Sequence, residues 1–96
     1  MKGYVIFYVD AVHDRARLKA YQAAGGPTLA EFGGKVIIAY GEQEPVEGPP
    51  MFGVVTIEFP TYQAAQGWYH SEGYQAAKAI RETAATCRAV IVAGKA

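Results

Sequence analysis

The sequence GYVIFYVD occupies residues 3–10 and decides the fold of this chain. β-Branched and aromatic residues dominate it, which is the composition typical of a β-strand. Side chains alternate between the two faces of a strand, yet here both alternating rows are apolar or aromatic up to Asp10. The stretch therefore predicts a strand whose two faces are both covered.

Three further segments predict strands, and helical patterns separate them. The four predicted strands are residues 3–10, 35–41, 52–59 and 88–93. A helical repeat begins at Asp14 and is interrupted at Gly25-Gly26-Pro27, where we expect a kink or a restart. Thr61 and Ser71 are the predicted N-caps of two later helices, which separate near His70. The order β-α-β-β-α-β predicts an α+β, ferredoxin-like fold with an antiparallel four-stranded sheet.

Strand alternation assigns two apolar rows to this sheet. The row expected under the helices contains Val5, Phe7, Val9, Ile37, Ala39, Val55, Ile57, Phe59, Ala89, Ile91 and Ala93. The opposite row contains Tyr4, Ile6, Tyr8, Asp10, Val36, Ile38, Tyr40, Phe52, Val54, Thr56, Glu58, Arg88, Val90 and Val92. A sheet face in water is normally polar, so this second row needs a cover that the chain does not supply. The sequence predicts a homodimer through this face, with an ion pair between Asp10 and Arg88 at its rim.

Length and charge limit the function classes. A chain of 96 residues and 10.3 kDa predicts a single domain over residues 1–96. Lys plus Arg equals Asp plus Glu at 9 each, which argues against nucleic-acid binding. The apolar runs are too short to span a bilayer, and the single cysteine excludes an internal disulfide. We expect a cytoplasmic protein with no cofactor and with neither nucleic acid nor membrane as a partner.

Four sequence elements together resemble a known family. They are Gly33-Gly34-Lys35, Val46-Glu47-Gly48, Glu58-Phe59-Pro60 and Ala65-x-x-Trp68-Tyr69-x-Ser71-x-x-Tyr74-Gln75. The chain is similar over nearly its whole length to small bacterial proteins of the dimeric α/β-barrel superfamily, in a subgroup catalogued as a domain of unknown function. The resemblance implies ferredoxin-like protomers whose sheets pack face to face. Similar folds serve cofactor-free monooxygenases, muconolactone isomerases, haem enzymes and stress proteins, but the subgroup supplies no catalytic residue to carry over.

Two titratable residues are candidates for proton transfer. Glu58 lies in an apolar strand, so burial would raise its pKa and suit it to general acid–base catalysis. The alternative is a carboxylate paired with a Lys, Arg or Tyr side chain. His70 has an imidazole that titrates near neutral pH, and its alternative is a solvated residue between two helices.

Aromatic side chains concentrate around the predicted helix break. Trp68, Tyr69 and Tyr74 would form the walls of a pocket for a flat ligand, unless they simply belong to the core. Ser71 lies among them and is explained by helix capping alone.

A cleft between helices and sheet is expected near three further residues. Tyr21, Tyr62 and Arg81 would border this cleft, and Arg81 would attract a carboxylate or an enolate there. The preferred alternative makes Arg81 a solvated helix residue.

Other chemistry finds little support in the sequence. Ser71 is the only serine, and Tyr69 stands in place of the first glycine of a Gly-x-Ser-x-Gly hydrolase elbow. Asp10, His13 and Asp14 are metal-ligand types, but a strand end followed by a helix N-terminus explains them, and we predict no metal site. Cys87 is expected to be an inert, partly buried thiol.

Two functions from different classes remain open. The first is a cofactor-independent enzyme, monooxygenase- or isomerase-like, that acts on a small aromatic or enolisable metabolite in an apolar pocket. The second is a non-catalytic small-molecule-binding or protein-interaction module. A closed cavity with Glu58 or His70 pointing into it would favour the enzyme, and a filled interior would favour the module.

Overall fold

The computed structural model describes all 96 residues and contains one antiparallel sheet with helices against one face. The strands are β1 (Gly3–Val12), β2 (Lys35–Ala39), β3 (Gly53–Phe59) and β4 (Ala85–Ala93), in the spatial order β2-β3-β1-β4. The helices are α1 (Arg15–Gly25), α2 (Tyr62–Tyr69) and α3 (Glu72–Ala84). All strand pairings are antiparallel. This is the predicted ferredoxin-like α+β fold.

Side-chain caps determine where the three helices begin. Asp14, Thr61 and Ser71 each accept a hydrogen bond from the backbone N–H three residues later, at 3.0–3.2 Å. Each cap satisfies one N–H that the first helical turn leaves without a partner. The predicted caps at Thr61 and Ser71 are confirmed, as is the separation of α2 from α3 at His70.

The interruption after α1 is built as predicted. Two short 3-10 turns, Gly26–Thr28 and Ala30–Phe32, follow the helix and lead to β2. Pro27 stands in the first of these turns, where its missing N–H would have no partner in any case. The helix layer beside β2 therefore consists of short turns rather than a continuous helix.

Two strands are longer than predicted. A register shift at Asp10 lets β1 continue, so that Ala11 pairs with Thr86 and Val12 pairs with Ala85. The predicted boundaries at residues 10 and 88 were therefore too short. A bulge absorbs one residue and keeps the ladder intact, which the local composition does not reveal.

Burial along β1 follows the predicted alternation. Val5, Phe7 and Val9 are buried under the helices, and the residues between them are half-buried. The helix-side core consists of Val5, Phe7, Val9, Ile57, Phe59, Ala65, Trp68, Tyr74, Ala77 and Ala85.

The edge strands depart from the predicted rows. A register shift in β2 pairs Val36 with Ile57, a core residue, so Val36 lies on the helix side and not on the opposite face. Ala89 and Ala93 were expected under the helices but are exposed. They lie in β4, at the sheet edge.

The sheet face opposite the helices, here called the outer face, stays apolar and uncovered in the protomer. Ile38, Val90 and Val92 are 46%, 42% and 40% exposed there. The protomer measures 31 × 31 × 17 Å, a thickness that fits one sheet and one helix layer. The guanidinium of Arg88 donates to both carboxylate oxygens of Asp10 at 3.0 and 2.9 Å, which confirms the predicted ion pair. No helix has the length and apolarity needed to cross a membrane.

The close contact between β1 and the start of α2 predicts that a methyl group added at Gly3 destabilises the fold. A Cβ on Gly3 would lie 2.5 Å from the Cα of Tyr62 and 2.7 Å from the carbonyl oxygen of Thr61. Because both atoms are backbone, Gly3→Ala should lower the free energy of unfolding by about 1–3 kcal/mol in urea denaturation. Gly41→Ala is the control, since a Cβ there meets nothing within 4 Å. Equal stability of the two variants would contradict this packing.

Candidate functional site

The aromatic residues of α2 and α3 form the centre of the core. The rings of Trp68 and Tyr74 lie 4.0 Å apart between centroids, and both contact Phe7 of β1 at 6.4 Å. Trp68 is 1% exposed and Tyr74 is fully buried. The helix break before Ser71 lets both rings reach the sheet from separate helices. These two residues therefore fill the interior, as the core alternative proposed.

Two hydrogen bonds attach the α1 side of the protein to this aromatic centre. The indole Nε1 of Trp68 donates to Thr28 Oγ1 at 2.9 Å. The hydroxyls of Tyr21 and Tyr74 share a hydrogen bond at 2.9 Å. Buried N–H and O–H groups need such partners, so these bonds set how closely α1 and its turns approach the core.

A cavity of about 200 Å³ lies between α1, the first 3-10 turn and strands β2 and β3. We call it the α1 cavity. Its lining residues are Tyr21, Gln22, Gly25, Gly26, Leu29, Val36, Ala39, Tyr40, Val55, Ile57 and Trp68. Gln22, Gly26 and Val36 are exposed, so the cavity communicates with solvent along this edge. Of the predicted pocket residues, Tyr21 and Trp68 line it.

Tyr40 lines the α1 cavity because of an unusual backbone conformation. Its φ of 56° lies in the left-handed region, the only such case among the non-glycine residues. The alternation of β2 would send this side chain to the outer face, as we predicted, but the left-handed turn brings its ring over Gly53 on the helix side. Phe52 packs edge-on against the same ring at 5.7 Å, so it also leaves the predicted outer row.

A second, smaller cavity of about 30 Å³ adjoins the first. Its lining residues are Phe7, Val9, Leu18, Tyr21, Tyr40, Val55, Arg81 and Cys87. Arg81 is only 7% exposed, and its Nη1 is buried without a hydrogen-bond partner. The preferred alternative of a solvated helix residue is therefore wrong, because α3 directs Arg81 towards the sheet.

The groups around Arg81 are neutral. Burial raises the pKa of the Tyr21 and Tyr74 hydroxyls and of the Cys87 thiol. The guanidinium instead lies over the rings of Phe7 and Tyr21, with Cζ 5.1 and 5.9 Å from their centroids. A permanently charged side chain is thus held among aromatic rings without a carboxylate partner.

Glu58 lies on the opposite side of the sheet from both cavities. Its Oε1 accepts a hydrogen bond from Lys2 Nζ at 3.0 Å, and its Oε2 accepts from the Tyr4 hydroxyl at 3.2 Å. The Lys2 hydrogen bond holds the pKa of Glu58 below its ordinary value. The expectation of a raised pKa is therefore wrong, because the carboxylate is paired rather than desolvated.

The remaining candidates also lie outside the cavities. His70 is exposed at the end of α2, with its ring 5.3 Å from that of Tyr69. Tyr62 and Tyr69 are half-buried but line neither cavity, and Ser71 is occupied as the cap of α3.

The three metal-ligand types at the end of β1 have other partners. Asp10 binds Arg88, Asp14 caps α1, and His13 Nε2 lies 2.7 Å from Thr86 Oγ1. No group of three or more His, Cys, Asp or Glu side chains in the structure could hold a metal ion.

The sequence contained one unused signal for the α1 cavity. Gly25-Gly26-Pro27 predicts that the helical pattern breaks, and a broken helix leaves part of the sheet without a covering side-chain layer. Leu29, Ala39 and Val55 then line the gap, although their types predict ordinary core positions.

Residues 2–95 match the family described as Domain of unknown function (DUF1330). The chain belongs to this family. The match confirms the resemblance that the sequence elements indicated for this DUF1330 protein. No curated protein matches it significantly.

Solved structures share the fold of this DUF1330 protein at low sequence identity. A protein of unknown function from Rhodopseudomonas palustris is 20% identical, with a TM-score of 0.76 over 99% of this chain and 83% of that chain. A dimeric protein of unknown function with a ferredoxin-like fold from Bacteroides fragilis is 12% identical, with a TM-score of 0.66 over 97% and 96%. SnoaB from Streptomyces nogalater, a cofactor-independent oxygenase, is 12% identical, with a TM-score of 0.62 over 99% and 93%. These likenesses establish the fold.

The Thr28–Trp68 hydrogen bond generates a stability prediction. Thr28→Val keeps the side-chain shape but leaves a buried indole N–H without an acceptor, so it should cost about 1–3 kcal/mol of stability. Urea denaturation followed by Trp68 fluorescence measures this loss. Thr83→Val is the control for the loss of an exposed hydroxyl, because Thr83 lies on the surface of α3, where it bonds Arg17 and the Ile80 carbonyl. A loss no greater than that of the control would show that the hydrogen bond does not hold the turn.

Burial of Cys87 generates a reactivity prediction. Because desolvation raises the pKa of this thiol, the reactive thiolate forms only at higher pH than in a free cysteine. The folded protein should therefore react with a disulfide reagent more slowly than the urea-unfolded chain, with a pH midpoint above that of the unfolded thiol. Stopped-flow absorbance measures both rates, and a midpoint equal to or below the unfolded one would contradict the assignment.

Proposed function

We propose that this protein is a homodimer whose protomers each bind a small aromatic or enolisable molecule in the α1 cavity. The observation that carries the proposal is the cavity itself: an apolar space of about 200 Å³ beside the core of a 96-residue chain. Small-molecule sites are mostly apolar concavities with a few polar groups, so an open apolar space of this size is a candidate ligand site.

The size and lining of the α1 cavity limit its ligand. An apolar cavity of about 150 Å³ accommodates benzene, so this cavity suits a single substituted ring or a molecule of similar bulk. Trp68, Tyr21 and Tyr40 provide aromatic surface, and Gln22 and the two tyrosines contribute the polar groups of the lining, although the Tyr21 hydroxyl is hydrogen-bonded to Tyr74. A flat ligand with one or two polar atoms matches this surface.

For the activity, we propose a cofactor-independent enzyme of the monooxygenase or isomerase type. A similar fold in SnoaB, described as a cofactor-independent oxygenase, supports the class only as an analogy. The chemical support is local: hydroxyl donors in an apolar cavity can stabilise an enolate oxygen that develops on a bound ligand. Glu58 and His70 lie outside the cavity, so the proposed chemistry assigns no step to either.

A non-catalytic binding module is the second candidate. It is favoured by the positions of Glu58 and His70. Because both lie outside the α1 cavity, the cavity has no acid or base suited to neutral pH. The two candidates differ in turnover: an enzyme converts the bound ligand, whereas a module binds and releases it unchanged. Incubation of each bound ligand with the protein, followed by mass spectrometry, separates them.

The proposed dimer is formed through the outer face. Its apolar middle is framed by Lys2 and Glu58 at one end and by Asp10 and Arg88 at the other. An apolar centre with a charged rim is typical of protein–protein interfaces, and a two-fold axis lets one face cover its own copy.

We propose the cytoplasm as the location of the protein and residues 1–96 as a single domain.

Ligand binding in the α1 cavity predicts a fluorescence change. Trp68 is the only tryptophan and lines the cavity, so its emission should change when benzamide, phenol or another single-ring compound binds. Ala39→Leu adds bulk to the lining and should weaken this binding at least about tenfold while keeping the fold. Ala20→Leu is the control, because Ala20 is exposed on α1 and outside the lining. Unchanged affinity in Ala39→Leu would place the ligand elsewhere.

The dimer proposal predicts the effect of a charge on the outer face. Val90→Lys should dissociate the dimer at micromolar concentration, because each interface would then bury two lysines without partners. Val46→Lys is the matched control, since Val46 is 78% exposed in the loop between β2 and β3. Size-exclusion chromatography with light scattering gives the masses. Identical masses for both variants would exclude this face as the interface.

A further inference from the structure

We propose that the smaller cavity is an anion site, and that the ligand of the α1 cavity is an aromatic carboxylate whose carboxylate group binds Arg81. This inference rests on the proposed function and adds the charge of the ligand to it. Tyr21 and Tyr40 also line the smaller cavity, and the Tyr21 hydroxyl is hydrogen-bonded to that of Tyr74.

Arg81 has no counterion within the chain. The structure contains two ion pairs, Lys2–Glu58 and Arg88–Asp10, and Arg81 belongs to neither. An arginine side chain stays protonated in proteins, and a buried charge is strongly disfavoured unless it is paired and hydrogen-bonded. Arg81 is 7% exposed and its buried Nη1 has no acceptor, although the residue also borders an open surface pocket with Glu82 and Thr86. A bound anion would supply that acceptor.

The surroundings of Arg81 leave space for such an acceptor. Phe7 and Tyr21, whose rings contact the guanidinium, both line the smaller cavity. Their π faces attract the cation but accept no conventional hydrogen bond from it. A volume of about 30 Å³ admits one or two water-sized groups, which matches the oxygens of one carboxylate. A guanidinium binds a carboxylate through two parallel N–H donors, so one arginine suffices.

The α1 cavity and the smaller cavity lie next to each other and share part of their lining. Tyr21, Tyr40 and Val55 line both cavities, so the ring-sized space adjoins the space beside Arg81. Tyr40 directly follows β2 in its left-handed conformation, and its backbone N–H donates to the Val54 carbonyl of β3 at 3.0 Å.

The test compares two ligands of nearly equal shape. Benzoate and benzamide differ mainly in charge, and both are titrated into the wild-type protein at matched ionic strength with Trp68 fluorescence as the readout. Benzoate should bind at least about tenfold more tightly, because its carboxylate neutralises the guanidinium and can accept two of its N–H donors, whereas benzamide is neutral. This comparison needs no variant.

A variant then assigns the preference to Arg81. Arg81→Met keeps most of the side-chain length and removes the charge, so it should abolish the preference for benzoate while leaving benzamide affinity within about twofold. Its ligand-free melting temperature should not fall, because replacing an unpaired buried charge with an apolar side chain is often neutral or stabilising. Arg17→Met is the control, since Arg17 is exposed on α1 and bonded only at the protein surface to Thr83. It should retain the preference.

The outcomes separate this inference from the proposed function. Equal affinity of the wild-type protein for benzoate and benzamide would overturn the anion site and leave the α1 cavity as a site for neutral ligands. A benzoate preference that survives in Arg81→Met would also overturn it, because the charge would then be recognised elsewhere. If neither compound binds at millimolar concentration, the result contradicts both the proposed function and this inference.

Discussion

One sheet with two apolar faces and a single helix layer is the constraint on which this structure depends. The helices α2 and α3 place Trp68 and Tyr74 against Phe7 and thereby cover the centre of one face. The other face keeps Ile38, Val90 and Val92 in solvent when the protomer is alone. Because burial of apolar area is the main favourable term in folding, an uncovered face of this kind favours association. The proposed assembly thus follows from the strand sequences.

The same helix layer is incomplete beside β2, and this incompleteness creates the candidate site. A continuous helix from Asp14 to Phe32 would present side chains along the whole edge of the sheet. The break at Gly25-Gly26-Pro27 replaces its second half with two 3-10 turns, and the α1 cavity lies beside the first of them. In the smaller cavity that adjoins this space, α3 holds Arg81 with its Nη1 unpartnered. The helix break at Gly25-Gly26-Pro27 and the buried charge of Arg81 therefore define the proposed binding site.

The parts of the fold that could be predicted from sequence depend on local interactions. Helix caps at Thr61 and Ser71, the turn at Pro27 and the alternation along β1 each involve residues close in sequence. Most of the features that the sequence did not predict depend on contacts between residues that are far apart in the chain. The shift of Val36 to the helix side comes from a bulge in its pairing with β3, and the side of the sheet that Tyr40 occupies depends on one left-handed backbone angle. Arg81 was misjudged because its type predicts exposure, whereas its burial depends on how α3 packs against Phe7 and Tyr21. Glu58 was misjudged for the opposite reason, since its partner Lys2 lies 56 positions away.

The central claim is that a second copy of this chain covers the outer face, and the mass of the unmodified protein in solution tests it most directly. Sedimentation equilibrium across the micromolar range should give twice the mass of the 10.3 kDa chain, independent of ionic strength, because the buried surface is mainly apolar. A single species of 10.3 kDa that retains its cooperative unfolding transition would show that the face is stable in water. That result would contradict the account.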